Sequence, residues 1–122
     1  MGVISNGRDE PAWLVAGWAF EGYLDHVLAE VREDPATALA VEQAIAVDGL
    51  HLQLQDRVTA ECLCPVLVRV ADEVISGVRL VRVAGRTLDD RSQEQFRRAV
   101  AELRTLFARW WPADVPSETD PL

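Results

Sequence analysis

Residues 48–64, DGLHLQLQDRVTAECLC, carry two periodicities at once, and the choice between them decides whether the chain is all helix or a mixture. Leu50, Leu52 and Leu54 alternate with His51, Gln53 and Gln55, and Val58, Ala60, Cys62 and Cys64 keep the same parity, which is the period of a half-buried strand. Val47, Leu50, Leu54, Val58 and Cys62 also fall on one helical stripe. A lone hairpin would be marginal without further strands to join. Helix is therefore favoured, bent or broken at Asp48-Gly49, where glycine costs about 1 kcal/mol relative to alanine.

Working outward, prolines punctuate the chain. Pro11, Pro35 and Pro65 each open a stretch of helical spacing, and Asp89-Asp90 opens a fourth. Proline suits the first turn of a helix, where its missing N–H would have had no partner. From Pro11 to Glu33, Trp13, Gly17, Phe20, Leu24, Val27, Leu28 and Val31 form one stripe. Asp34 before Pro35 is an N-cap signal that leaves almost no linker to the second helix. After Pro65, Leu67, Val70, Ala71, Val74, Ile75, Val78 and Val81 face one way, and Gly85 is a candidate stop. Thr87 with Asp90, or Ser92 with Gln95, can cap a fourth helix whose stripe is Phe96, Ala99, Val100, Leu103, Leu106, Phe107 and Trp110. The fold expected is all-α, an antiparallel bundle of about four helices over residues 11–111. Flexible segments are expected at 1–10 and at 112–122, the latter acidic and proline-containing.

With 122 residues and 49% hydrophobic side chains, one domain can bury a core without metals or crosslinks. A net charge of −8 argues against nucleic acid or anionic lipid as a partner. All twelve cations are arginine, and they are unevenly placed. Residues 1–56 hold ten acids against Arg8 and Arg32, whereas residues 57–111 hold ten arginines against seven acids. Cys62 and Cys64 cannot build a disulfide framework, which fits a reducing cytoplasm. The longest apolar run, Ala12 to Phe20, is far short of the roughly 20 residues that span a bilayer.

Chemical motifs are sparse: no phosphate loop, nucleophile elbow, zinc spacing or calcium loop is present, and no cofactor is implied. Glu30-x-x-Glu33 resembles the first carboxylate pair of the all-α nucleoside triphosphate pyrophosphohydrolases, in which acids on neighbouring helices gather magnesium. The second pair departs from that pattern, because Asp72 and Glu73 are adjacent. A small metal- or nucleotide-dependent hydrolase would need Glu30, Glu33, Asp72 and Glu73 to converge. Cys64, placed where the third helix should begin, is the candidate for a reactive thiol in a sensor, since a helix N-terminus favours thiolate. His26 and His51 read as polar-face residues. The remaining signal is a surface one. Leu14, Val15 and Trp18 lie off the stripe of the first helix, Leu80 off that of the third, and Trp111 at the edge of the fourth. Exposed tryptophan with aliphatic neighbours is the composition of a protein interface. The functional expectation is a non-catalytic interaction module, an adaptor, regulator or neutralising partner, self-associating as a homodimer. The acidic first half of one subunit could then meet the arginine-bearing second half of another.

Overall fold

The computed structural model of the chain describes residues 1–7, 11–83 and 85–111. Its elements, in order, are β1 (Gly2–Ser5), β2 (Trp13–Val15), α1 (Gly17–Val31), α2 (Pro35–Val47), β3 (Gly49–His51), a 3-10 turn (Leu52–Leu54), α3 (Arg57–Ser76), β4 (Arg82–Val83), β5 (Arg86–Thr87) and α4 (Asp90–Trp110). The all-α expectation is thus corrected. The four helices are present, but a three-stranded mixed sheet of order β2-β1-β3 and a two-stranded sheet β4-β5 accompany them.

The sheet explains what local periodicity missed. β1 pairs antiparallel with β2 and parallel with β3, so that Ile4 aligns with both Trp13 and Leu50. Those three side chains are buried, while Leu14, aligned with Val3 on the opposite face, is exposed. Residues 2–5, expected to be a loose extension, are instead the central strand. A Cβ on Gly2 would collide with the Phe20 ring of α1, so only glycine lets the strand lie this close to the helix. Pro11 does not start a helix. The chain runs through β2 first, where the Trp13 indole donates to the Ala99 carbonyl of α4 at 2.9 Å, and α1 begins at Gly17.

Residues 48–64 follow neither reading over their whole length: three form a strand, three a 3-10 turn, and the rest opens a helix. α3 begins at Arg57, eight residues before Pro65, because Asp56 accepts the Thr59 N–H at 2.8 Å and caps the helix. Pro65 sits inside α3 with its ring exposed, and the stop is Gly77 in the left-handed region (φ 83°), ahead of Gly85. The Asp34-Pro35 start of α2 stands as read. At α4 the cap is Asp89, accepting from Ser92 N–H at 2.7 Å, rather than either capping box. The core gathers Phe20, Tyr23, Leu24 and Val27 of α1, Val41 of α2, Leu63, Leu67 and Val70 of α3, and Phe96, Val100, Leu103 and Phe107 of α4. The tail assigned to 112–122 lies outside the described residues, and no helix among those described is long and apolar enough to cross a membrane.

Candidate functional site

α2 ends on Asp48, a non-glycine residue at φ 58°, whose N–H bonds back to the Ile45 carbonyl. That left-handed turn redirects the chain at once into β3. The Val3 N–H donates to the Asp48 carbonyl at 3.2 Å, and in a parallel ladder this fixes which groups of β3 face β1. Leu50 points its N–H and C=O toward β1. Gly49 and His51 point theirs the other way, along the edge of the sheet, where Gly49 is buried and His51 half-buried.

A groove of about 420 Å3 runs beside that edge, lined by Ala40, Gln43, Ala44 and Val47 of α2, Gly49 and His51 of β3, and Leu54 and Gln55 of the following turn. Val47 and Leu54 are 72% and 75% exposed. His51 is pinned rather than loose. Its Nδ1 lies 2.7 Å from the Ser5 hydroxyl, which donates to Gln53 Oε1 at 3.3 Å. Assigning the single hydroxyl proton to Gln53 makes His51 Nδ1 the donor and leaves Nε2 as an acceptor. Nε2 lies against Gly49, where an added Cβ would come within 3.1 Å of it and 3.3 Å of Val3 Cγ1. None of the lining side chains is charged; Asp48 precedes Gly49, and Asp56 and Arg57 follow Gln55.

The side chains singled out from the sequence do not make one face. Trp18 is 39% exposed with its ring 6.2 Å from Phe96, near the start of α4, whereas Trp111 is half-buried and stacked 5.0 Å from Phe107 at its end. Phe96 and Trp111 are fifteen residues apart, about 22 Å along a helix. Val15 is half-buried against the core, Leu14 borders a shallow groove with Glu102, Thr105 and Leu106, and Leu80 is exposed ahead of β4.

The candidate carboxylates are engaged by arginine. Glu30 accepts from Arg69 at 2.8 Å and from Arg79 at 2.9 Å, and Arg79 also holds Glu73 at 2.6 Å. Asp72 pairs separately with Arg104 of α4 at 2.8 Å, and Glu33 is exposed beyond the end of α1. Glu30 and Glu73 therefore meet through cations, and no group of three metal-ligating side chains converges among the described residues. These hydrogen bonds from Arg79 and then Arg69 hold Glu30 below its ordinary value. His26 joins the cluster: its Nε2 accepts the Arg82 N–H at 3.3 Å and its Nδ1 lies 3.3 Å from Arg79 Nη1. Burial, then the Arg79 charge, lowers its pKa. Cys64 is corrected as well, since it lies half-buried in the middle of α3, away from any helix N-terminus.

The groove was missed because it forms only where β3 and the turn after it meet α2, which residue type does not advertise. The signals that could have found it were the alternation after Gly49 and the short apolar run at Val3-Ile4. No known family, curated protein or solved structure matches the chain.

Proposed function

We propose that this protein works by binding, as a module that takes up an extended, cationic and partly apolar segment of a polypeptide as an added strand on β3. The observation that carries this reading is the open edge of β3. There half-buried His51 directs its N–H and C=O away from β1 beside exposed Val47 and Leu54, with Asp48 and Asp56 at the two ends of the segment. Strand addition draws affinity from main-chain hydrogen bonds and specificity from alternate side chains, and this edge supplies both kinds of contact. Asp48 and Asp56, at the two ends of the segment, disfavour acidic guests and favour encounter with basic ones. The Nε2 of His51 adds one acceptor for a donor on the guest.

The test is an amide-resolved NMR titration of the labelled protein with three ten-residue peptides: alternating valine and arginine, alternating valine and glutamate, and the arginine peptide N-methylated at every second amide. The reading expects the first alone to bind, with the largest shifts at Gly49 and His51. Equal binding of the glutamate peptide, or shifts confined to other surfaces, would overturn it.

A further inference from the structure

We infer that the β4-β5 hairpin is a strap, which His26 fastens to α1 and releases when its ring takes up a second proton. Two helices hold the hairpin, and they hold different parts of it. Gln93 of α4 grips the base, through Val81 and Leu88. His26 of α1 grips β4. Arg82 aligns with Thr87 and Val83 with Arg86, and the Leu88 N–H donates to the Val81 carbonyl at 3.4 Å. In an antiparallel ladder that bond makes Val81–Leu88 and Val83–Arg86 the bonded pairs, so Arg82 and Thr87 direct their backbone groups outward. The outward N–H of Arg82 donates to His26 Nε2 at 3.3 Å. One residue on, Val83 covers Gly22, where an added Cβ would come within 2.9 Å of Val83 Cγ2 and 3.4 Å of the Phe96 ring. The strap thus closes over a notch between α1 and α4.

The closed arrangement admits one proton on the ring and not two. Nε2 receives the Arg82 N–H, and Nδ1 lies 3.3 Å from Arg79 Nη1, so a donor addresses each nitrogen. A neutral imidazole has one acceptor to offer and an imidazolium has none; an N–H on Nε2 would oppose the Arg82 N–H directly. The charged groups around the ring come from three elements. Its own helix supplies Asp25 and Glu30. The segment after α3 supplies Arg79, itself paired with Glu30 and with Glu73 of α3. β4 supplies the Arg82 side chain, which with Asp25, Ala29 and Gly85 lines a pocket of about 180 Å3 beside the ring. Burial and Arg79 disfavour the imidazolium here more than Glu30 favours it. Lifting Arg82 away removes the opposed N–H and lets water reach the ring, while Glu30 stays four residues along the same helix. A second proton therefore favours the open strap. The base does not follow, because the Gln93 amide does not titrate. With the ordinary histidine value near 6.5, release falls in the mildly acidic range.

The experiment is amide-resolved NMR of the full chain between pH 7.5 and 5, following hydrogen-exchange protection at Val81 and Arg82 together with the titration of the His26 ring protons. Opening linked to one proton should lower the protection of the Arg82 amide about tenfold between pH 7.5 and 5.5. That loss should track the ring, and Val81, tied by Gln93, should keep its protection. His26→Gln supplies an amide oxygen in place of Nε2 and cannot take up a proton, so its Arg82 protection should stay level across the range. Four results would overturn the inference: an Arg82 amide without protection at pH 7.5, an Arg82 amide still protected after the ring has titrated, a ring that stays neutral down to pH 5, or Val81 and Arg82 losing protection together. An equal loss in His26→Gln would do so as well, because it would assign the trigger to Asp25 or Glu30.

Discussion

Gln93 is the side chain on which the presentation of the hairpin turns, and removing it should show how much one buried amide contributes. It sits in the first turns of α4, 8% exposed, with Oε1 accepting the Val81 N–H at 3.3 Å and Nε2 donating to the carbonyls of Val81 at 3.1 Å and Leu88 at 3.3 Å. One side chain thus ties both ends of the β4-β5 hairpin to the helix. Gln93→Met keeps most of the volume and deletes all three bonds. The Val81 carbonyl still receives Leu88 N–H, but the Val81 N–H, on a residue 2% exposed, loses its partner. A buried donor left unsatisfied costs about 1–3 kcal/mol, so about 2 kcal/mol is expected. Gln93→Ala adds the loss of roughly one buried methylene, near 0.8 kcal/mol, for a total of about 3. At about 4 °C per kcal/mol for a chain of this size, Tm should fall by about 8 °C and 12 °C. The assay is urea denaturation of both variants alongside hydrogen exchange at the Val81 amide. A methionine variant within about 0.5 kcal/mol of the parent, or a parent Val81 amide that exchanges as fast as Gly85, would refute the reasoning.

Three further perturbations follow from the same geometry. Burial and Arg79 depress the pKa of His26, so the folded chain binds fewer protons at this ring than the unfolded chain; its contribution is complete above the unfolded value of about 6.5 and is lost as pH falls below it. His26→Gln should therefore flatten the stability profile between about pH 6.5 and 5, and an unchanged profile in urea midpoints would count against the assignment. Glu30 is held low by Arg79 and Arg69, so it stabilises above the unfolded carboxylate value near 4.3 and ceases to do so as pH falls through its folded value; in Arg79→Met the loss between pH 7 and 3 should shrink. Pro65 removes the N–H that would reach the Glu61 carbonyl, and its exposed ring has no packing role to offset this, so Pro65→Ala should raise stability by about 1–2 kcal/mol. A loss of stability in calorimetry would refute this expectation.

The same contrast between local and distant causes separates what could be read in the chain from what could not. Asp34-Pro35 and the stripes Phe20-Leu24-Val27-Val31 and Phe96-Val100-Leu103-Phe107 were legible, because caps and helical faces are set within a few residues. Proline as a start mark failed at Pro65 for a related reason. Asp56 had already satisfied the first N–H groups of α3 eight residues earlier, and an outward-facing ring can be carried inside a helix begun elsewhere. β1 was illegible in principle. Four residues, Gly2 to Ser5, have no period to speak of, and their meaning depends on Leu50, which aligns with Ile4 from 46 positions away. Once that alignment exists, it settles the ambiguity of residues 48–64. Pairing with β1 draws Gly49 to His51 into a strand, and the Asp56 cap takes the remainder into α3.

The candidate site inherits both halves of this argument. The uneven charge of the chain was legible, since the crowding of acids into the first half and of arginines into the second is plain from composition. The place of the site was not. Tryptophan content directed attention to Trp18 and Trp111, but Trp18 leans on Phe96 and Trp111 stacks on Phe107, so both rings are largely engaged by α4. The backbone groups that the described ladders direct away from their partners, at His51 and Thr87, are ones every sequence possesses and only a fold can place at an edge. The long-range pairing that creates the sheet also creates its edge.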